Sequence, residues 1–239
     1  MIRSPFYVRL LLCGVLAALL CTCDGNNSPE TRTEAQNKTV ENSNTPTVTT
    51  TARQRRIVFF GNSLTAGYGL DEAYSFPSLI QQRIDSLELD YEVVNAGLSG
   101  DTSAGGLSRV DWILEQPLDI FVLELGANDA LRGFDLNATR QNLAAILEKV
   151  RSKYPEAKLV IAGMEAPPNM GASYTQDFRH IYRELAQAYD AALIPFLLEG
   201  VAADPKLNLA DGIHPNAEGQ LIVRENVWKV IAPLVGATI

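Results

Sequence analysis

From Ile57 to the C-terminus the chain repeats one pattern. A short apolar run comes first, then a break with glycine or asparagine, then a longer stretch whose apolar positions recur three and four residues apart. Ile57-Val58-Phe59-Phe60 contains no polar position, so it reads as a strand buried on both faces, and Gly61-Asn62-Ser63 ends it. Phe76 to Leu87 places Leu79, Ile80, Ile84 and Leu87 on one helical face, and Tyr91-Glu92-Val93-Val94-Asn95 is a strand stopped by Ala96-Gly97. A helix from about Ser103 to Glu115 leads to Pro117. Asp119 to Leu125 is the most continuous apolar strand, and Gly126-Ala127-Asn128-Asp129 stops it. Leu143, Ile146, Leu147 and Val150 mark the next helix, and Lys158 to Ala162 the fourth strand. Tyr174 to Tyr189 is helical, Ala192 to Phe196 is a short last strand, and Asn216 caps a final helix running to about Ile231. Parallel strands need crossovers, and crossovers are right-handed, so five strands alternating with helices predict a three-layer α/β fold around a five-stranded parallel sheet.

The first 55 residues break this pattern. Arg3 and Arg9 flank a short start, an apolar run from Leu10 to Leu20 follows, and Leu20-Cys21-Thr22-Cys23 closes it. This reads as an export signal over residues 1–23, too short to span a bilayer comfortably. Leu20 three places before Cys23 resembles a bacterial lipoprotein box, in which the cysteine becomes the lipidated first residue of the mature chain. Thr22 departs from the smaller residue that such a box favours. Residues 24–55 are rich in Thr, Asn, Glu and Ser and contain no aromatic side chain. Such a segment buries too little apolar surface to offset its ordering entropy, so a disordered tether is expected, with the folded domain over residues 56–239.

Composition then narrows the chemistry. All three cysteines lie in the first 23 residues, so the domain has no thiol for a disulfide, a zinc site or a cysteine nucleophile. A formal charge of −8 gives no general attraction to nucleic acid or to anionic lipid, and losing Arg3 and Arg9 with a leader makes it more negative. Membrane association is therefore expected through a lipid on Cys23 and not through the protein surface. Nucleic acid is not an expected partner.

Four stretches fall at the carboxyl edge of the predicted sheet, where open α/β sheets bind ligands. They are Gly61-Asn62-Ser63-Leu64, Gly97-Leu98-Ser99-Gly100-Asp101-Thr102, Gly126-Ala127-Asn128-Asp129 and Asp211-Gly212-Ile213-His214-Pro215. Ser63 alone is either an exposed nucleophile or an ordinary helix cap. The other stretches supply what acyl transfer also requires: a base, a carboxylate to orient it, and donors for a developing oxyanion. The chain has two histidines. His180 lies in a charged helical stretch and reads as a surface residue, whereas His214 sits in a loop three residues after Asp211, a spacing at which a turn brings the carboxylate to one ring nitrogen. Asp101 and Asp129 sit among glycines and an amide, which favours turn and supporting roles over a metal site.

These blocks, with Gly100-Asp101-Thr102-Ser103, Gly106-Leu107, Leu123-Glu124-Leu125-Gly126, Asn128-Asp129-Ala130-Leu131-Arg132-Gly133 and Ile213-His214-Pro215-Asn216, resemble the SGNH/GDSL-type serine hydrolases over essentially all of Ile57 to Ile239. The likeness is to the periplasmic branch of acyl thioesterases, lysophospholipases and arylesterases. It implies a flavodoxin-like α/β/α sandwich, a Ser63, Asp211 and His214 triad, and an oxyanion hole formed by the Ser63 and Gly100 backbone N–H groups and the Asn128 side chain. The implied substrate is a small-molecule ester or thioester, cleaved by a monomer without cofactor or metal. A carbohydrate-ester deacetylase and a non-catalytic flavodoxin-like binding module are the alternatives. The family usually has Asp before the nucleophile, where this chain has Asn62. Asparagine keeps the shape and an acceptor but loses the charge. Finally, Met164 to Gly171, with two prolines and two methionines, follows the fourth strand and is expected to flank an acyl groove, with Met170 adapting to the chain.

Overall fold

The computed structural model describes residues 53–238. The expected leader, Cys23 and the tether up to residue 52 lie outside them. Five strands form one sheet: β1 Arg55–Gly61, β2 Tyr91–Gly97, β3 Ile120–Glu124, β4 Lys158–Ala162 and β5 Ala192–Ile194. All pairs are parallel, in the order β2-β1-β3-β4-β5, the flavodoxin-like arrangement with its switch point between β1 and β3. In register, Gly61 pairs with Gly97 on one side and Glu124 on the other. These three residues end the central strands side by side.

Seven helices connect the strands among the described residues: α1 Ser63–Ala66, α2 Phe76–Ser86, α3 Ser103–Ile113, α4 Ala127–Leu131, α5 Leu136–Lys153, α6 Ala172–Ala188 and α7 Ala217–Val235. α2 packs against α7 on one face of the sheet, and α3, α5 and α6 form the layer on the other. Alternation along β1 serves both faces. Phe59 meets Phe76 of α2 edge-on at 5.4 Å, while Phe60 lies 5.5 Å from Phe121 and under the Arg109 guanidinium of α3. Both β1 rings are buried, and each such side chain contributes about 1.5–3 kcal/mol by leaving water.

The helix starts are written in the sequence. Ser75, Thr102, Asp135 and Asn216 each accept a bond from a backbone N–H at the start of α2, α3, α5 and α7, which places the entries within a residue or two of their polar caps. The ends differ more. The last strand stops at Ile194 and not Phe196, because Pro195 has no N–H to give to the sheet. α7 continues past Ile231 through Pro233 to Val235, where Gly236, in a left-handed conformation, ends it. β1 begins at Arg55, and Arg53 before it forms a bidentate pair with Asp119. No described helix is long and apolar enough to cross a membrane.

Candidate active site

β1 delivers its carboxyl end into a sharp turn. Asn62 caps α1, its side-chain oxygen accepting from the Leu64 N–H at 2.9 Å, and Ser63 is the first helical residue. A residue in this position has a backbone N–H with no partner inside the helix. Among the described residues no acceptor takes the Ser63 N–H or the Gly100 N–H. Gly100 adopts φ +82°, a backbone that side chains other than glycine rarely reach, in the loop after β2.

The Asp211–Pro215 loop brings His214 to the turn. Asp211 Oδ2 lies 2.7 Å from His214 Nδ1, and His214 Nε2 lies 2.8 Å from Ser63 Oγ, across 151 residues of sequence. The other carboxylate oxygen, Oδ1, accepts from the Ile213 and His214 backbone N–H groups at 3.0 and 3.1 Å. Those bonds and the histidine hold the Asp211 carboxyl down to about 2, below the usual carboxylate range. The Tyr68 ring stacks on the His214 imidazole at a centroid distance of 4.5 Å. His180, by contrast, is exposed on α6 and does not line the cavity over Ser63.

Asn128, the second residue of α4, donates one amide hydrogen to the Asp101 carbonyl at 2.8 Å. This orients the side chain, and Ser63, Gly100 and Asn128 line the same cavity. The Gly100 loop is tied down from several directions. Leu98 N–H donates to Gly61 O, Arg132 donates to Gly100 O, and Arg109 bridges Asp101 at 2.7 Å and Gly61 O at 3.0 Å. Asp129 is buried and accepts from the Ser103 N–H and hydroxyl and from Thr139. Both acidic residues of the site thus have the supporting roles that their glycine-rich surroundings suggest.

The cavity over Ser63 holds about 520 Å³, within the range of small-molecule sites. Met164, Ala166 and Pro167 contribute to it as expected, but Met170 does not: it lies against Gly133, outside the cavity wall. Phe196, Leu198, Ala202 and Ala203 add to its apolar wall. No local pattern in that connecting stretch marks it as a binding surface; only the fold carries it to the site. Glu124 was equally hidden. It sits within an apolar run, and its partners across the sheet are invisible in one dimension.

Comparison with known proteins agrees with this geometry. The model of the GDSL-like Lipase/Acylhydrolase family matches residues 59–222. Esterase TesA of Pseudomonas aeruginosa is 40% identical over 189 residues, covering 79% of this chain and 93% of the relative. Thioesterase 1/protease 1/lysophospholipase L1 of Escherichia coli K12 is 38% identical over 180 residues, covering 75% and 84%. Among solved structures, the psychrotrophic esterase EstA from Pseudoalteromonas sp., inhibited by monoethylphosphonate, superposes with a TM-score of 0.72 at 31% identity, covering 76% of this chain and 99% of that one.

Proposed function

The chain belongs to the GDSL-like lipase/acylhydrolase family, and we propose that in this ester hydrolase Ser63 is the nucleophile, His214 its general base and Asp211 the carboxylate that orients the base. The observation that carries this reading is the unbroken chain from Asp211 Oδ2 through the imidazole to Ser63 Oγ, with links of 2.7 and 2.8 Å. His214 Nε2 accepts the hydroxyl proton as Oγ attacks the carbonyl carbon of the ester or thioester. The Asp211 carboxylate keeps the proton on Nδ1 and stabilises the imidazolium that forms. The tetrahedral oxyanion is received by the Ser63 and Gly100 N–H groups and the free hydrogen of the Asn128 amide. His214 then returns the proton to the leaving alcohol or thiol, and water, activated by the same base, releases the acid from the acyl-enzyme. An acyl chain fits the apolar wall of Met164, Phe196 and Leu198, which has few groups to hydrogen-bond a sugar ring, so the wall favours acyl esters and thioesters over carbohydrate esters. Turnover of a chromogenic short-chain ester, abolished by Ser63→Ala with the fold intact, tests the assignment. Retained turnover would refute it.

The same reading extends to location. Residues 1–23 are a leader, Cys23 carries the lipid anchor at a bacterial membrane, and residues 24–55 tether a monomeric domain to it. The short apolar run and Leu20-Cys21-Thr22-Cys23 support this, as does a charge that disfavours direct contact with anionic lipid. Membrane-extracted protein should have the intact mass of a chain beginning at lipidated Cys23. A soluble, unmodified chain cleaved elsewhere would refute the anchor.

A further inference from the structure

Directly behind the nucleophile turn lies an acid that the reaction above does not use. Glu124 ends β3 in register with Gly61 and is 1% exposed. Its carboxylate accepts three bonds, from the Asn62 backbone N–H at 3.0 Å, the Asn62 side-chain amide at 2.7 Å and the Thr65 hydroxyl at 2.8 Å. Among the described residues no cation pairs with it. The space it occupies excludes any side chain at position 61, where a Cβ would lie 2.5 Å from the carboxylate and 2.1 Å from the Thr65 hydroxyl.

The Asn62 amide is held at both ends. Its nitrogen donates to Glu124, and its oxygen accepts from Leu64 N–H and lies 3.5 Å from Ser63 Oγ. Neither end can be reversed without loss, since a flipped amide would set its NH₂ against the Leu64 N–H and uncap α1. Every group around the carboxylate is therefore a donor, and the ionised form satisfies all of them. A protonated Glu124 has to place its hydrogen against the Asn62 amide, or against Asn62 N–H and a Thr65 hydroxyl that must turn round and stop donating. Burial pushes Glu124 up to about 7 against the pull of these bonds, so the proton is within easy reach. Other charged or titratable groups border the turn. Arg109 of α3 reaches the Gly61 carbonyl, Tyr182 of α6 donates to Leu125 O at 3.0 Å, Asp129 opens α4, and His214 faces Ser63 from its loop.

We propose that Glu124 is a positioning residue for the nucleophile: its carboxylate, matched in polarity to the Asn62 amide, locks the turn that aims Ser63 at His214, and uptake of a proton there releases the turn. The inference rests on Ser63 being the nucleophile. It also explains why an amide suits position 62. An aspartate there would face Glu124 acid to acid, and the pair would have to retain a shared proton.

The test compares wild type, Glu124→Gln, Asn62→Asp and the exchanged pair Asn62→Asp/Glu124→Gln, with kcat and KM for a soluble short-chain ester measured across pH and folding checked by circular dichroism. Glu124→Gln sets its NH₂ either against the Asn62 amide NH₂ or against the Asn62 N–H, a donor facing a donor in both cases, so kcat should fall about tenfold or more with KM little changed. The exchanged pair restores one acid and one amide with reversed polarity and should recover to within about threefold of wild type. On the acid side, wild-type kcat/KM should fall more steeply than that of the exchanged pair, which has no Glu124 carboxylate to take up a proton. Wild-type kcat in Glu124→Gln, or an exchanged pair no better than Glu124→Gln, would overturn the proposal. Should Glu124→Gln fail to fold, Thr65→Val removes one donor and should move the acid limb to higher pH; an unmoved limb would overturn it equally. Ser63→Ala run in parallel separates the two claims. Activity in that variant refutes the nucleophile, whereas an inactive Ser63→Ala beside an indifferent Glu124 series refutes only the clamp.

Discussion

Ser63 stands on a turn backed by the sheet, whereas His214 stands on a loop that supports itself. Asn62, Leu64 and Thr65 around the serine are all buried, and the acid that holds their turn comes from another strand, 62 residues away. Around the histidine the bonds are short-range. Asp211 caps Ile213 and His214, Leu209 N–H donates to His214 O at 2.7 Å, and an isolated bridge pairs Asn208 with Pro215. Asp211, Gly212 and Ile213 are exposed. The position of Ser63 is thus a property of the whole fold, and that of the Asp211–His214 pair is a property of a few neighbouring residues. Substitutions behind Ser63 should disturb fold and activity together, while those in the loop should lower activity and leave the fold alone.

The largest effect comes where the two regions meet. Ser63→Ala and His214→Ala should each lower kcat by about a thousandfold or more, and the double variant should be little worse than either, because the two side chains act as one unit. Next is the oxyanion side. Asn128→Ala should cost about a hundredfold in kcat, and Asn128→Asp at least as much, since it replaces a donor with an acceptor. Initial rates on one soluble ester settle both. Near-normal activity of Asn128→Asp would remove the amide from the mechanism.

Asp211→Asn sharpens the contrast. The oxygen that caps Ile213 and His214 survives, but the oxygen that accepts from His214 Nδ1–H becomes an NH₂, which favours the wrong tautomer, so activity should fall by about a hundredfold or more while the melting temperature barely moves at neutral pH. The two acids also respond oppositely to pH. Asp211, held down to about 2, contributes stability that is present above the ordinary carboxylate value and lost as pH falls through about 2. Glu124, raised to about 7, favours the folded state most at acid pH and loses that contribution as pH rises through about 7. Thermal melts of Asp211→Asn and wild type should therefore differ little at neutral pH and coincide in strong acid. Any loss of wild-type activity between pH 4 and 7 belongs to groups other than Asp211. The smallest effect concerns the wall. Met170→Glu should leave chain-length preference nearly unchanged, whereas Met164→Ala should shift it, as a series of acyl esters would read out.

This contrast also explains what could be read from one dimension. Asp211 and His214 lie three residues apart, so a local motif exposes them, and Ser63 is announced by the glycine and asparagine that cut off an apolar run. The five-stranded parallel sheet follows from alternation and crossovers, whereas its flavodoxin-like arrangement comes from the family resemblance. The Leu123-Glu124-Leu125-Gly126 block is visible in the sequence, but what Glu124 does is not, because Asn62 and Thr65 come opposite it only in the fold. Phe196 and Leu198 read as the end of a strand and a connection, and their place in the cavity depends on how β5 packs beside β4. The short helices α1 and α4 are too brief to show a period, yet they place Ser63 and Asn128.

The most direct test is covalent. A fluorophosphonate ester reacts with an activated serine and leaves a tetrahedral adduct in the oxyanion site. Intact-mass and peptide analysis of the labelled protein should show one adduct per chain, on Ser63, with labelling absent in Ser63→Ala and strongly slowed in His214→Ala. A wild-type protein that hydrolyses esters yet carries the label on another residue, or labels equally well as Ser63→Ala, would contradict the account.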